Sequence, residues 1–426
     1  MKKIVITICA ILLLFAGCGK TRNLEKDKIV AINATSYFQN RKDNDFYILL
    51  DSNAKNNITL EQLSEEFDDI VKVYGQPVEF DSEEVQAIER ETNAIVSVPV
   101  LFESGWMDVT YTINSTSSVI NFKITASDKL DENGYNETQY VYKTSNGEGK
   151  AVFTNTKGSE KTPLVILVHD QGYLDKNSTV GVRKVFRDLA YALADKGIAS
   201  VRYDRTNLDN DDIEDSIALM QEELLAVYES CKNFEEIDNN RIYVLGYGVG
   251  GYLLPKLVER MDIDGLIIAS SPCMDLHQSI YEKQMYEVEC EVTMSEQNKK
   301  VRRKEIEASR DLIETLVNPE DFYQDIFGYS SSFWIQLQSY DAIQTVENLN
   351  LPVLITQGSN DYEVSSNAYN QWQHGLKDSK LVSLKYYKNM DHLFTIRNST
   401  SVPADCLSES TIADAFVNDI SKFVQK

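Results

Sequence analysis

Positive charge is scarce in this chain: 42 Lys and Arg stand against 66 Asp and Glu, a formal net charge of −24. A surface of that sign repels phosphate backbones and anionic lipid headgroups, both of which gather Lys and Arg clusters, so nucleic acid is excluded as a partner. Histidine is rarer still, with 4 in 426 residues. No HExxH pair and no phosphate-cradling GxxxxGK occurs, and no pattern calls for a metal or an organic cofactor. Cysteine is also sparse, at 6. Cys9 and Cys18 lie near the amino terminus; Cys231, Cys273, Cys290 and Cys406 fit neither a zinc spacing nor a CxxC redox pair. These four permit disulfides and equally suit free buried thiols. Also missing is an apolar run of the ~20 residues that a membrane-spanning helix needs.

What is present suits two folded cores, with 42% hydrophobic and 10% aromatic residues. At the amino terminus Lys2 and Lys3 precede a short apolar stretch, IVITICAILLLFA, and a small-residue site, FAGC, that ends at Cys18. That order is a targeting segment. It resembles a bacterial lipoprotein signal, with Phe15 where Leu is commonest. The resemblance implies a signal peptide over 1–17, a lipid on Cys18, a polar tether over 18–29 and an extracytoplasmic, membrane-anchored location. An ordinary secretory signal is the other reading.

Two helical stretches follow, IVAINATSYFQN and TLEQLSEEFDDIVKVYG, with apolar residues three and four apart and Thr59 as the N-cap of the second. The period then changes to two in AIVSVPVLF, MDVTYTIN and SVINFKIT, which predicts a small antiparallel sheet. Residues 30–126 are thus expected to form an α+β domain. Their pattern resembles the cone-shaped, cystatin-like or nuclear-transport-factor-like domains of bacterial surface proteins, for which a spacer role is the simplest. Over 127–426 buried-strand runs such as PLVILVHD, IASVRYD, RIYVLGY, GLIIASSP and PVLITQGSND alternate with helices. This predicts a doubly wound, mostly parallel α/β sheet. The alternation stops over about 274–345, a wholly helical interval that reads as a lid.

Five ordered segments of the second domain resemble the α/β-hydrolases, in particular bacterial extracytoplasmic carboxylesterases grouped with serine aminopeptidases. LVHDQG (167–172) corresponds to the oxyanion-loop strand and RYDRTN (202–207) to an Arg-Tyr-Asp-Lys-Arg segment. LGYGVGG (245–251) stands where Gly-His-Ser-Leu-Gly-Gly is usual, QGSNDYEV (357–364) carries the acid, and KNMDHLF (388–394) carries the base. The resemblance implies Asp361 as acid, His392 as base, the backbone of Gln171 and Val249 as oxyanion donors, and Gly246, Tyr247 and Gly250 as the frame of a nucleophile elbow. Its ligands would be small esters, amides or acyl compounds. In chemical terms, a carboxylate orients an imidazole, which takes the proton of a hydroxyl that is otherwise a weak nucleophile.

The hydroxyl is what this sequence lacks. Gly248 stands at the apex of the elbow, and Asp170 stands where the oxyanion loop usually has glycine. A carboxylate beside the donors of Gln171 and Val249 opposes a developing oxyanion, so both departures weaken acyl transfer. The favoured expectation is a degenerate hydrolase that binds without turnover. Two alternatives stay open: slow hydrolysis through a water or a displaced nucleophile (Ser270, Ser271 or Cys273), and a binding module centred on the first domain. His169 is expected to be structural, and His277 and His374 to be surface residues.

Overall fold

A computed structural model describes residues 22–425 apart from 91, 128, 130–134, 156–160, 171–174, 207–216, 319–324 and 409. The expected signal peptide over 1–17, the lipid-bearing Cys18 and the oxyanion donor Gln171 lie outside the described residues. The chain divides into two compact units. One holds the residues up to Asp68 with Val78–Leu101 and Met107–Thr125; the other holds Asp69–Pro77, Phe102–Trp106 and the chain from Ala126.

The smaller unit has more helices than the apolar spacing predicts. In place of two there are α1 (Leu24–Gln39), α2 (Asp43–Leu49), α3 (Ser52–Asn57) and α4 (Leu60–Tyr74). Local capping makes the breaks: Arg41 turns the chain with φ 52° after α1, and the Asp51 carboxylate accepts from Ala54 N at 2.7 Å to open α3. The stretch expected as a tether is helical from Leu24, with Asn23 as its cap. Thr59 and Gln62 exchange side-chain and backbone hydrogen bonds at the start of α4, a reciprocal capping box. Five strands follow: β1 (Pro77–Phe80), β2 (Gln86–Glu89), β3 (Asn93–Phe102), β4 (Gly105–Asn114) and β5 (Val119–Ala126), in the order β1-β3-β4-β5 with β2 also paired to β3. Phe46 is the centre of the core, its ring packed edge-on against Phe67 and Phe122 at 4.9 and 5.4 Å.

In the larger unit, a hairpin of β6 (Asn136–Thr144) and β7 (Gly147–Asn155) precedes β8 (Thr162–Val168). β6 is largely polar while β7 buries Ala151–Asn155, and the two strands pair antiparallel at one edge of the sheet. A short ribbon of β9 (Thr179–Val180) and β10 (Arg183–Lys184) leads into α5 (Val185–Ala194). Then come β11 (Ala199–Tyr203), α6 (Ile217–Cys231), β12 (Ile237–Tyr247), α7 (Val249–Leu257) and β13 (Gly265–Ala269). Among the described residues, four helices lie in the interval read as a lid: α8 (Leu276–Cys290), α9 (Glu296–Thr315), α10 (Ser331–Leu337) and α11 (Ala342–Leu349). The chain closes with β14 (Val353–Gly358), α12 (Ser366–Gly375), β15 (Val382–Tyr387) and α13 (Asp414–Val424).

The eight strands run in the order β15-β14-β13-β12-β8-β11-β7-β6, parallel from β15 to β11. The apolar strand runs have no polar alternation because both faces are covered. Leu164 and Ile166 of β8 enter one core with Val244 and Leu266, while Val165 and Leu167 enter the opposite core with Leu245 and Ile267. At the first turn of α7 this packing leaves no room for a side chain: a Cβ on Gly250 would collide with the His169 carbonyl oxygen at the end of β8. Gly250→Ala is therefore expected to lower stability by about 1–3 kcal/mol, despite alanine's better helix propensity. An unchanged urea midpoint would show that the helix start can shift.

Cys231, Cys273, Cys290 and Cys406 are free thiols, the first two buried. Among the described residues no helix is long and apolar enough to cross a membrane.

Candidate functional site

Four parallel strands deliver the site. Asp170 follows β8, Gly248 follows β12, Asp361 follows β14 and His392 follows β15, all at the carboxyl edge where sites of such sheets form. Gly248 turns β12 directly into α7 with φ 54° and ψ −121°. That conformation costs about 1–3 kcal/mol for a residue with a Cβ, and glycine avoids the strain. The turn is tied down by Gly248 N donating to Ala269 O at 3.1 Å.

Asp170 fills the space at the apex. Its Oδ1 accepts from Val249 N at 2.6 Å, and its Oδ2 lies 3.4 Å from His392 Nε2. A Cβ built on Gly248 would come no farther than 2.5 Å from Asp170 Cγ and both carboxylate oxygens. The sequence presents Gly248 and Asp170 as two separate departures, and the structure corrects this: they are one steric arrangement, since the carboxylate needs the room that the missing side chain leaves. The same carboxylate takes up the Val249 N–H expected to serve an oxyanion. It also fills the position in which a water would replace the hydroxymethyl group.

His392 is held from both sides. Its Nδ1 pairs with Asp361 Oδ2 at 2.9 Å, while Asp361 Oδ1 accepts from the backbone N–H groups of Glu363 and Val364, each at 2.9 Å. Gln357 Nε2 adds a bond to Asp361 Oδ2 at 2.9 Å. Tyr247 packs its ring against the imidazole, centroids 4.7 Å apart. On the other side Glu363 Oε2 stands 3.9 Å from His392 Nε2, and the same oxygen is ion-paired with Lys283 of α8. The His392 and Asp361 side chains are 2% and 0% exposed, so water screens little of this charge.

Burial alone would pull the imidazole pKa down, but the charges of Asp361 and Glu363 outweigh it and, with the hydrogen bonds the ring donates to Asp170 and Asp361, hold His392 well above the ordinary histidine value. Asp170 is the converse: burial pushes it up, and His392, then Lys283 and the Val249 N–H, hold it below the usual carboxylate range. A protonated imidazole between two carboxylates has no lone pair with which to take a proton. The arrangement is an ion cluster, where a working base would leave Nε2 free for a hydroxyl.

Among the described residues, no displaced nucleophile is hydrogen-bonded to His392. Ser270 is buried with φ 47°, and its Oγ makes no hydrogen bond among the described residues; Ser271 Oγ donates to Ala269 O. Burial, followed by the charge of Asp341, raises the Cys273 pKa, which keeps it a thiol. His169 bonds the Tyr203 carbonyl, and burial with the neighbouring Arg205 lowers its pKa to about 4, so it is neutral and structural. His374 is exposed; His277 is only partly so, its ring edge-on to Trp334. Within RYDRTN, Arg202 is a buried tie that binds Glu137, Thr154 and Asn177. Gly246, one residue before the end of β12, packs so closely on Gly251 that a Cβ there would collide with its backbone.

Glu363 and Lys283 are the site residues that sequence reasoning missed. Glu363 had a signal, lying two residues after Asp361 in QGSNDYEV. Lys283 had none, because only the return of α8 over the sheet edge brings it near. A small recess beside the cluster is lined by Tyr362, Glu363, His392, Ser401 and Cys406, among others.

No family model matches the chain. In sequence it is similar to esterase EstD of Thermotoga maritima, 26% identical over 282 residues that make up 64% of each protein. The chain thus spans about two thirds of that relative's length, just under it. Among solved structures it is similar to Est1E from Butyrivibrio proteoclasticus, at 17% identity over 67% of this chain and 96% of that one, TM-score 0.43. It is also similar to a proline iminopeptidase from Mycobacterium smegmatis, at 15% identity over 68% of this chain and 98% of that one, TM-score 0.45. With its sheet order, its strand–elbow–helix turn and its likeness to an esterase sequence, the larger unit is an α/β-hydrolase in fold.

Proposed function

We propose that this protein is a degenerate carboxylesterase: it keeps the hydrolase fold and binds an acyl or peptide-like ligand, or a partner that presents one, without turning it over. The observation that carries the reading is the Asp170 carboxylate. It occupies the apex space, accepts from Val249 N at 2.6 Å and closes on His392 Nε2 at 3.4 Å. Acyl transfer needs a nucleophile, a free base and an empty oxyanion hole, and this one side chain works against all three. The recess beside His392 is where a ligand would meet the cluster. The amino-terminal segment supports placing the protein outside the cytoplasm on a lipid at Cys18, with the smaller unit as a spacer.

Purified protein is expected to give no ester hydrolysis above background on short-chain p-nitrophenyl esters and no labelling by a fluorophosphonate probe. Robust turnover with covalent labelling would sink the reading.

A further inference from the structure

We propose that Asp170, Glu363 and His392 form a binding site for a divalent transition-metal ion, with Zn²⁺ the best match. It goes beyond the non-hydrolytic reading and rests on it at one point: with no side chain at 248, His392 Nε2 has no hydroxyl to serve.

The three residues come from the ends of different strands, yet one ligand atom of each lies within 4.8 Å of the others. The separations measured from His392 Nε2 are 3.4 Å to Asp170 Oδ2 and 3.9 Å to Glu363 Oε2. Ligands of a tetrahedral zinc ion, at 2.0–2.2 Å from the metal, stand roughly 3.4 Å apart; the two His392 separations already match this to about half an ångström, and the two carboxylates, within 4.8 Å, draw together to close the site. A nitrogen donor among carboxylates favours zinc and its neighbours over Mg²⁺ or Ca²⁺, which prefer all-oxygen cages.

The surroundings supply what a metal-bound histidine uses. Asp361 Oδ2 holds the far ring nitrogen at 2.9 Å, the outer-shell carboxylate that fixes the ring and raises its basicity as a ligand. Asp170 is anchored through its other oxygen to Val249 N, which leaves Oδ2 directed at the site. Three buried carboxylates, Asp170, Asp361 and Glu363, face one ammonium, Lys283. With the protonated His392 counted, one negative charge is left over, and a divalent cation that displaces the imidazole proton cancels it. Glu363 and His392 also line the recess, so the fourth coordination position opens toward a ligand.

The test is metal binding by the chelator-stripped full chain. Zn²⁺ titrated by calorimetry against a competing chelator is expected to bind one per chain. Asp361→Asn is expected to weaken binding by about 10–100-fold, and Glu363→Gln or Asp170→Asn by more than that. Co²⁺ in place of Zn²⁺ is expected to give visible d–d bands without a thiolate charge-transfer band, which separates this site from the cysteines. No saturable one-to-one binding, or equal affinity in Glu363→Gln and Asp170→Asn, overturns the proposal. Should one variant fail to fold by circular dichroism, the other decides. Ester hydrolysis by the unaltered protein would defeat the non-hydrolytic reading and leave the titration to judge the metal site separately.

Discussion

Gly248→Ser alone is expected to remain inactive toward p-nitrophenyl esters and unlabelled by fluorophosphonate, whereas the Asp170→Gly/Gly248→Ser pair gains both. From the sequence, the serine by itself would be the natural revertant. The structure rules that out, because the Cβ would lie no farther than 2.5 Å from the Asp170 carboxylate carbon and oxygens. Removing the carboxylate frees the Val249 N–H and His392 Nε2 at the same time, and Asp361 already holds Nδ1 at 2.9 Å. A complete triad adds on the order of 10⁴ to 10⁶ beyond what binding and an oxyanion hole supply, which sets the upper bound on the gain of the paired variant over either single variant. Michaelis kinetics and probe labelling of the four proteins check it. Full activity from Gly248→Ser alone would show that Asp170 swings away freely, and inactivity of the pair would show that the rest of the site has lost competence.

His392→Ala is expected to cost stability, by about 3–5 kcal/mol. The substitution leaves Asp170, Asp361 and Glu363 facing one another in a site where the His392 and Asp361 side chains are 2% and 0% exposed. The cationic partner that offsets their desolvation is then reduced to Lys283. Urea denaturation followed by circular dichroism measures the loss. Asp170→Asn in the same background should recover part of it, a coupling of about 0.5–3 kcal/mol, because it removes one of the uncompensated charges. Were His392 a base awaiting a nucleophile, its removal would change stability little, and any residual hydrolysis would vanish with it.

Much of the fold is legible in the residues themselves. PLVILVHD and RIYVLGY have to be buried strands, since no polar alternation offers them a solvent face, and the structure puts one core on each side of them. Thr59 marks the start of α4 because its hydroxyl and the Gln62 amide are local partners. The β6–β7 hairpin was less visible, because β6 is largely polar at a sheet edge. The break between α1 and α2 rests on the positive φ of Arg41 and that before α3 on the Asp51 cap, local features that apolar spacing does not register.

For the site the division is sharper. The sequence by itself determined that Gly248, at a strand–turn–helix, has no hydroxyl, and its resemblance to the hydrolases pointed to Asp361 and His392 further along the chain. Pattern and chain order are local properties, and they survive without knowledge of distance. Only the tertiary structure decided what the empty apex contains. Asp170, Lys283, Glu363 and His392 come from four separate stretches of the chain, brought together at one sheet edge by the parallel strand order and by the helix that returns over it. Steric exclusion between Gly248 and Asp170, and the low-dielectric sum of charges around His392, depend on separations of a few ångströms that no sequence spacing encodes.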